Sequence, residues 1–264
     1  KYGWSAVKFD EDYFPDPKGL IDTLHNKYNA HIIISVWPKF AAKSDIAKEM
    51  ESKGYLYPIG TGDENAKTYD AFNPGARKLY WAYMNRNIFS KGMDGWWLDA
   101  TEPEIGNANT QEITTESYEK EGRTAAGSVS RVLNAFVLMT ARAVYEGQRA
   151  TTPNKRVFIL TRSTYAGTQR YGSTSWSGDI EGQWDVFRNQ ISGGLNIGLA
   201  GLPYWTTDIG GFFVRYSGGC ENPEYRELYV RWFQFGGFCP MFRSHGTHTP
   251  REIWRFGDKG TWAY

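Results

Sequence analysis

"DGWWLDA", residues 94–100, is the stretch on which the fold turns: Trp96, Trp97 and Leu98 form a short apolar run that stops at a carboxylate, Asp99. Such a run suits a buried strand, and the acid at its end belongs on the rim of an apolar wall. Upstream, "HIIISVW" (residues 31–37) is a continuous β-branched run, as expected of a strand covered on both faces. The segment before it, "PDPKGLIDTLHNKY", carries Leu20 and Leu24 at i and i+4 and predicts a helix. Asn73-Pro74, a cap followed by a first-turn proline, opens a second predicted helix, "GARKLYWAYMNRNIF".

The same alternation continues downstream. A long helix is predicted in "SVSRVLNAFVLMTARAVYEGQ", a strand in "RVFIL" (156–160), and a short strand over 173–177. The helical "WDVFRNQISGGLNIGLA" carries Gly193 and Gly194, a kink or a point of close packing. "GLPYWTTD" again ends in an acid, "PEYRELYVRWFQFGGF" is helical, and "PMFRSH" predicts a last strand. Between Asp99 and the long helix, the polar "GNANTQEITTESYEKEG" predicts a surface insertion or mobile loop. Strands alternating with helices imply an α/β fold with a parallel sheet. No glycine-rich phosphate loop follows a strand, so the pattern fits a partial (β/α)8 barrel, approximately strands 3 to 8, better than a nucleotide-binding sheet. No linker divides the chain, and one domain is expected over residues 1–264.

Composition narrows the partners. With 30 basic and 29 acidic residues interspersed, the net charge of +1 gives no case for nucleic acid or an anionic membrane surface. No run approaches the roughly 18 apolar residues of a membrane span. Cys220 and Cys239 are too few for a disulfide framework and are read as free thiols. Aromatic residues make up 16% of the chain, with 11 Trp. Flat rings suit either a large core or the apolar faces of a sugar, and composition does not choose. The chain begins at Lys1 rather than methionine and reads as a fragment, so the lack of a leader leaves the compartment open.

Position is more telling. The predicted strands end in Trp37, Asp99, Arg162, Asp208 and His245. One acid after a strand is often a cap, but in a barrel these ends converge on one mouth, and five polar or aromatic ends favour a site. Glu102 and Glu104 follow Asp99, either as solvated acids or as part of that site. Asp179 lies in Ser-Gly-Asp, where glycine allows close backbone approach to a ligand. Only His245 and His248 are close in sequence among the four histidines, His248 is expected on an exposed loop, and no metal or cofactor is expected.

In order, "DGWWLDATEPE", "TRSTYAGTQRYGSTSWSGD", "GLPYWTTDIGGF" and "PMFRSHG" resemble glycoside hydrolase family 31, over about residues 9–245. The resemblance implies a (β/α)8 barrel that removes α-linked glycosyl groups from an oligosaccharide with retention. It implies Asp99 as nucleophile and Asp179 as acid/base, which retaining chemistry places about 5–5.5 Å apart. It further implies substrate contacts from Arg162, Trp176 and His245, with Phe212 beside the leaving group. Asp208, Arg243 and Glu102 are expected to orient the others. The form "WWLDATEPE" is similar to that of α-xylosidases acting on xyloglucan oligosaccharides, whereas the α-glucosidase branch follows its nucleophile with Met-Asn-Glu-Pro. Another α-xylosidase branch has Lys where Trp97 stands. Trp37 and Trp97 are candidates for excluding the hydroxymethyl group of glucose. Alternatives are an α-glucosidase or transglycosylase of the same family, or an inert carbohydrate-binding protein. A sugar-binding Asp of the family would precede Lys1, so the isolated chain is expected to be inactive or poorly folded.

Overall fold

The computed structural model describes residues 1–58, 60, 64–102 and 122–257. Glu104 and the polar 106–121 segment lie outside the described residues. The chain divides into two compact units, Lys1–Ser173 and Thr174–Tyr264.

The first unit is built on three parallel strands: β1 (Ile33–Val36), β2 (Gly95–Leu98) and β3 (Ile159–Thr161). Val36 pairs with Leu98, and Leu98 with Thr161, so the three strands end level. Helix α1 (Pro17–Tyr28) precedes β1; α2 (Asp45–Ser52) and α3 (Pro74–Asn87) lead from β1 to β2; α4 (Phe136–Thr151) leads from β2 to β3. Three of these helices start where local chemistry dictates. Asp16, Ser44 and Asn73 each accept a backbone N–H of the first turn, satisfying donors the helix leaves orphaned. The long helix predicted before β3 is interrupted: a short α turn, Val129–Val132, and a 3-10 turn, Leu133–Ala135, precede α4.

Trp96 is the centre of the core behind the sheet. It is fully buried, packs edge-on to Trp81 with ring centroids 5.8 Å apart, and donates its indole N–H to Gln148 Oε1 at 2.9 Å. Residue 147 of α4 must be glycine for this packing, since a Cβ there would stand 2.2 Å from the Trp81 ring. Period-two alternation sends Trp97 to the other face of β2, the same face as Asp99. β1 departs from expectation. Ser35 is exposed and Ile33 and Ile34 are only half-buried, so this strand is not covered on both faces among the described residues.

The second unit carries β4 (Ser173–Trp176) from its second residue onward and β5 (Trp205–Thr206), parallel, with Trp176 opposite Thr206. Helix α5 (Trp184–Leu199) follows β4 and α6 (Pro223–Gly236) follows β5; they meet where Phe187 stacks on Trp232, centroids 4.9 Å apart. α5 runs unbroken through Gly193-Gly194, so close packing is the glycine's role: a Cβ at Gly194 would lie 2.7 Å from the Trp205 ring. "PMFRSH" forms no strand among the described residues. It meets β5 and its following loop through isolated bonds, Thr206 Oγ1 to the Met241 carbonyl (2.6 Å) and the Ile209 N–H to the Arg243 carbonyl (3.3 Å), rather than through a ladder. Both cysteines are free, Cys220 buried and Cys239 half-buried.

Candidate active site

The level ends of β1, β2 and β3 deliver Trp37, Asp99 and Arg162 to one rim of the first unit. Asp99 is anchored by its own N–H, which donates to the Val36 carbonyl at 3.1 Å, and Arg162 by its N–H to the Leu98 carbonyl at 3.2 Å. The Arg162 guanidinium then joins two carboxylates. Its Nη1 is 3.2 Å from Asp99 Oδ1, and its Nε donates to Glu102 Oε1 at 2.7 Å, with Nη2 on the same oxygen. The guanidinium also lies 5.5 Å from the Trp37 ring centre, within cation–π range. Trp37 is held edge-on by Trp4, centroids 4.6 Å apart. Asp99 is thus an ionisable group with a guanidinium partner, a setting that favours its charged form.

The turn after Asp99 is strained and pinned. Ala100 is buried and adopts φ +52°, a left-handed conformation that costs a residue bearing a Cβ about 1–2 kcal/mol. Its N–H donates to Asp99 Oδ1 at 2.9 Å, so that oxygen is fixed from two sides. Buried Thr101 holds the turn in place through hydroxyl contacts to Thr161 (2.8 Å) and Ser163 (3.0 Å). Strain of this kind persists where surroundings over-determine the backbone, as at functional sites.

In the second unit, Asp179 follows β4 and is exposed, after a buried Gly178 with φ +77°. The next residue ties this loop to the one after β5: the N–H groups of Phe212 and Phe213 both donate to the Ile180 carbonyl, at 2.7 and 3.0 Å. Gly211 makes that approach possible, because a Cβ there would stand 2.4 Å from Gly182. Asp208 is wholly buried and paired with the Arg243 guanidinium. Burial pushes its carboxyl up to about 7; the charge of Asp179 adds to that rise and Arg243 opposes it. Arg243 lies 5.2 Å from the ring centre of Trp176, which is buried. His245 sits 5.3 Å from Phe212, and burial, with the charges of Arg243 and Arg251, lowers its pKa to about 4, keeping the ring neutral at ordinary pH. His248 is exposed, as expected.

Two contributors were not legible in the sequence. Arg251, in "TPREIW", donates to the carbonyls of Gly211 (2.9 Å), Phe212 (3.1 Å) and Thr247 (3.2 Å), fixing the loop that carries Phe212. The Thr101–Thr161–Ser163 cluster gave no signal, because buried hydroxyls are common at strand ends. The structure therefore groups Trp37, Asp99, Glu102 and Arg162 in the first unit, with half-buried Trp97 on the same face of β2 as Asp99. It groups Trp176, Asp179, Asp208, Phe212, Arg243 and His245 in the second.

Strand ends carrying carboxylates, guanidinium groups and aromatic rings mark the candidate site residues in each unit. Residues 1–263 match the domain described as "Glycosyl hydrolases family 31 TIM-barrel domain". The chain belongs to glycoside hydrolase family 31, and its parallel βα units are part of that α/β barrel. It is 46% identical over 97% of its length to an α-xylosidase of Saccharolobus solfataricus, covering 33% of that protein. It is 38% identical to an uncharacterized family 31 glucosidase of Pseudescherichia vulneris, over 92% of the chain and 45% of the relative. Among solved structures, the α-xylosidase of Xanthomonas citri superposes with a TM-score of 0.90 at 40% identity, over 100% of this chain and 30% of that one. The chain thus spans 33% and 45% of the length of these two curated relatives.

Proposed function

We propose that the protein is a retaining α-glycoside hydrolase, acting as an α-xylosidase on xyloglucan-type oligosaccharides. The observation that carries this reading is the Arg162–Asp99 contact at the level ends of β2 and β3, which presents a charged carboxylate on a rigid rim. Asp99 attacks the anomeric carbon and forms a glycosyl-enzyme while Asp179 donates a proton to the departing oxygen. Asp179 then removes a proton from the incoming water, and the attack of that water releases the sugar with its configuration retained. Trp37 and Trp97 crowd the C5 side of the ring; Trp176, Arg162 and His245 hold the sugar, and Phe212 flanks the leaving group. Neutral His245 can donate and accept, as a sugar hydroxyl requires. The relatives named α-xylosidase support the choice of sugar.

The test compares hydrolysis of an aryl α-xyloside and an aryl α-glucoside by the full-length protein. A preference for xylose of about tenfold or more is expected, because exclusion of one small group yields roughly 1–3 kcal/mol. Faster hydrolysis of the glucoside would assign the protein to the α-glucosidase reading instead. Asp99→Ala should abolish turnover, and azide should trap a glycosyl azide more readily in Asp179→Ala than in the wild type. Near-normal activity in Asp99→Ala would refute the nucleophile.

A further inference from the structure

A second constellation occupies the opposite ends of the first unit's strands. Asp94 stands just before β2, and its carboxylate is set in place by the chain beside it. The Ile32 N–H donates to Asp94 Oδ2 at 3.0 Å, and the Asp94 N–H returns to the Ile32 carbonyl at 3.1 Å. Two imidazoles converge on this carboxylate. His25 lies in the last turn of α1, with Nε2 2.7 Å from Oδ2. The helix then ends at Asn29, whose left-handed backbone (φ 48°) turns the chain back. His31 thereby comes beside His25, ring centroids 5.6 Å apart, with Nδ1 3.2 Å from Asp94 Oδ1.

One donor atom from each of these three side chains lies within 4.8 Å of the others. Two imidazoles bound tetrahedrally, each through one nitrogen at about 2.0–2.1 Å, have ring centres roughly 5 Å apart and donor atoms roughly 3.3 Å apart. The ring centres here, 5.6 Å apart, are near that size, and the donor atoms lie within 4.8 Å of one another. Imidazole with carboxylate is a donor set suited to zinc-class ions, and the Ile32 N–H is the outer hydrogen bond that orients a ligating carboxylate.

One group opposes a cation. Lys155 Nζ is 3.1 Å from Asp94 Oδ1. It also donates to the Met93 carbonyl at 3.2 Å, and its side chain is 36% exposed, so it can leave the carboxylate while staying near the surface. We infer that His25, His31 and Asp94 form a binding site for one divalent ion of the zinc class, with water completing a tetrahedron. The ion ties the end of α1 to the start of β2, on strand ends where a bound group serves stability rather than chemistry.

The experiment is equilibrium dialysis of the EDTA-treated full-length protein against Zn2+, with Co2+ as a spectroscopic probe. The wild type should bind one ion more than His25→Ala/His31→Ala, and the Co2+ form should show the visible band of a tetrahedral site. His31→Ala is the decisive single variant, since that side chain is 80% exposed and its loss leaves the core intact. It should weaken binding at least tenfold and remove the Zn2+-dependent rise in Tm, whereas Lys155→Met should tighten binding about tenfold. Equal Zn2+ stoichiometry and affinity in the wild type and His31→Ala would overturn the assignment.

Discussion

Replacing Arg162 by methionine should move the acid limb of the activity profile upward, and the geometry sets by how much. Arg162 and Asp99 are 3.2 Å apart, with side chains only 14% and 17% exposed. At an effective dielectric of about 20, that separation has a Coulomb ceiling of roughly 5 kcal/mol. Desolvation and the second carboxylate reduce it. An arginine at this range ordinarily shifts an aspartate by about 1–3 pH units, or roughly 1.4–4 kcal/mol. The acid limb of kcat/KM reports the ionisation of the free enzyme's essential carboxylate. With an aryl α-xyloside, Arg162→Met should therefore raise that limb by about 1–3 pH units. Glu102→Gln supplies the sign control. It removes a negative charge that shares the same guanidinium, so the limb should move the other way, downward, by a fraction of a unit. Non-specific damage would not give opposite signs. If the limb stays put in Arg162→Met, or both variants shift it in the same direction, the electrostatic account of Asp99 fails.

Other expectations concern packing and pH. Gly147→Ala reverses the usual helix-propensity gain: a Cβ 2.2 Å from Trp81 should cost about 1–3 kcal/mol in urea denaturation, and a stabilised variant would contradict the packing. Ala100→Val should destabilise the protein by more than about 1 kcal/mol, because a β-branched residue fits φ +52° worse than alanine does; an unchanged urea midpoint would refute the strain. The His245 ring should titrate near 4 by NMR. Because its folded pKa lies below the unfolded 6.5, this group removes stability as pH falls from about 6.5 to about 4. Arg251→Met should bring the His245 titration back toward 6.5, and no movement would remove Arg251's charge from the explanation.

Much of this was legible because strand ends are chemically abrupt. The step from Leu98 to Asp99 marks a strand terminus, and the step from Thr161 to Arg162 does the same. The Asn73-Pro74 cap places α3 from composition alone. What escaped reading depends on distance in the chain. His25 and His31 looked scattered because nothing local shows that Asp94, 63 residues beyond the second of them, meets both of their rings. Arg251 bonds only to backbone carbonyls, which carry no residue signature. "PMFRSH" has strand-like composition, but a strand requires a ladder, and its bonds to the β5 region are isolated.

The ties among Ile180, Gly211, Phe212 and Arg251 bear on how these loops can be altered. Three stretches, 178–182, 210–213 and 247–251, share one set of backbone bonds. They behave as a single cassette, so grafting any one of them from a relative would tilt the other two. Retailoring this side of the molecule calls for exchanging all three at once, and natural divergence faces the same coupling.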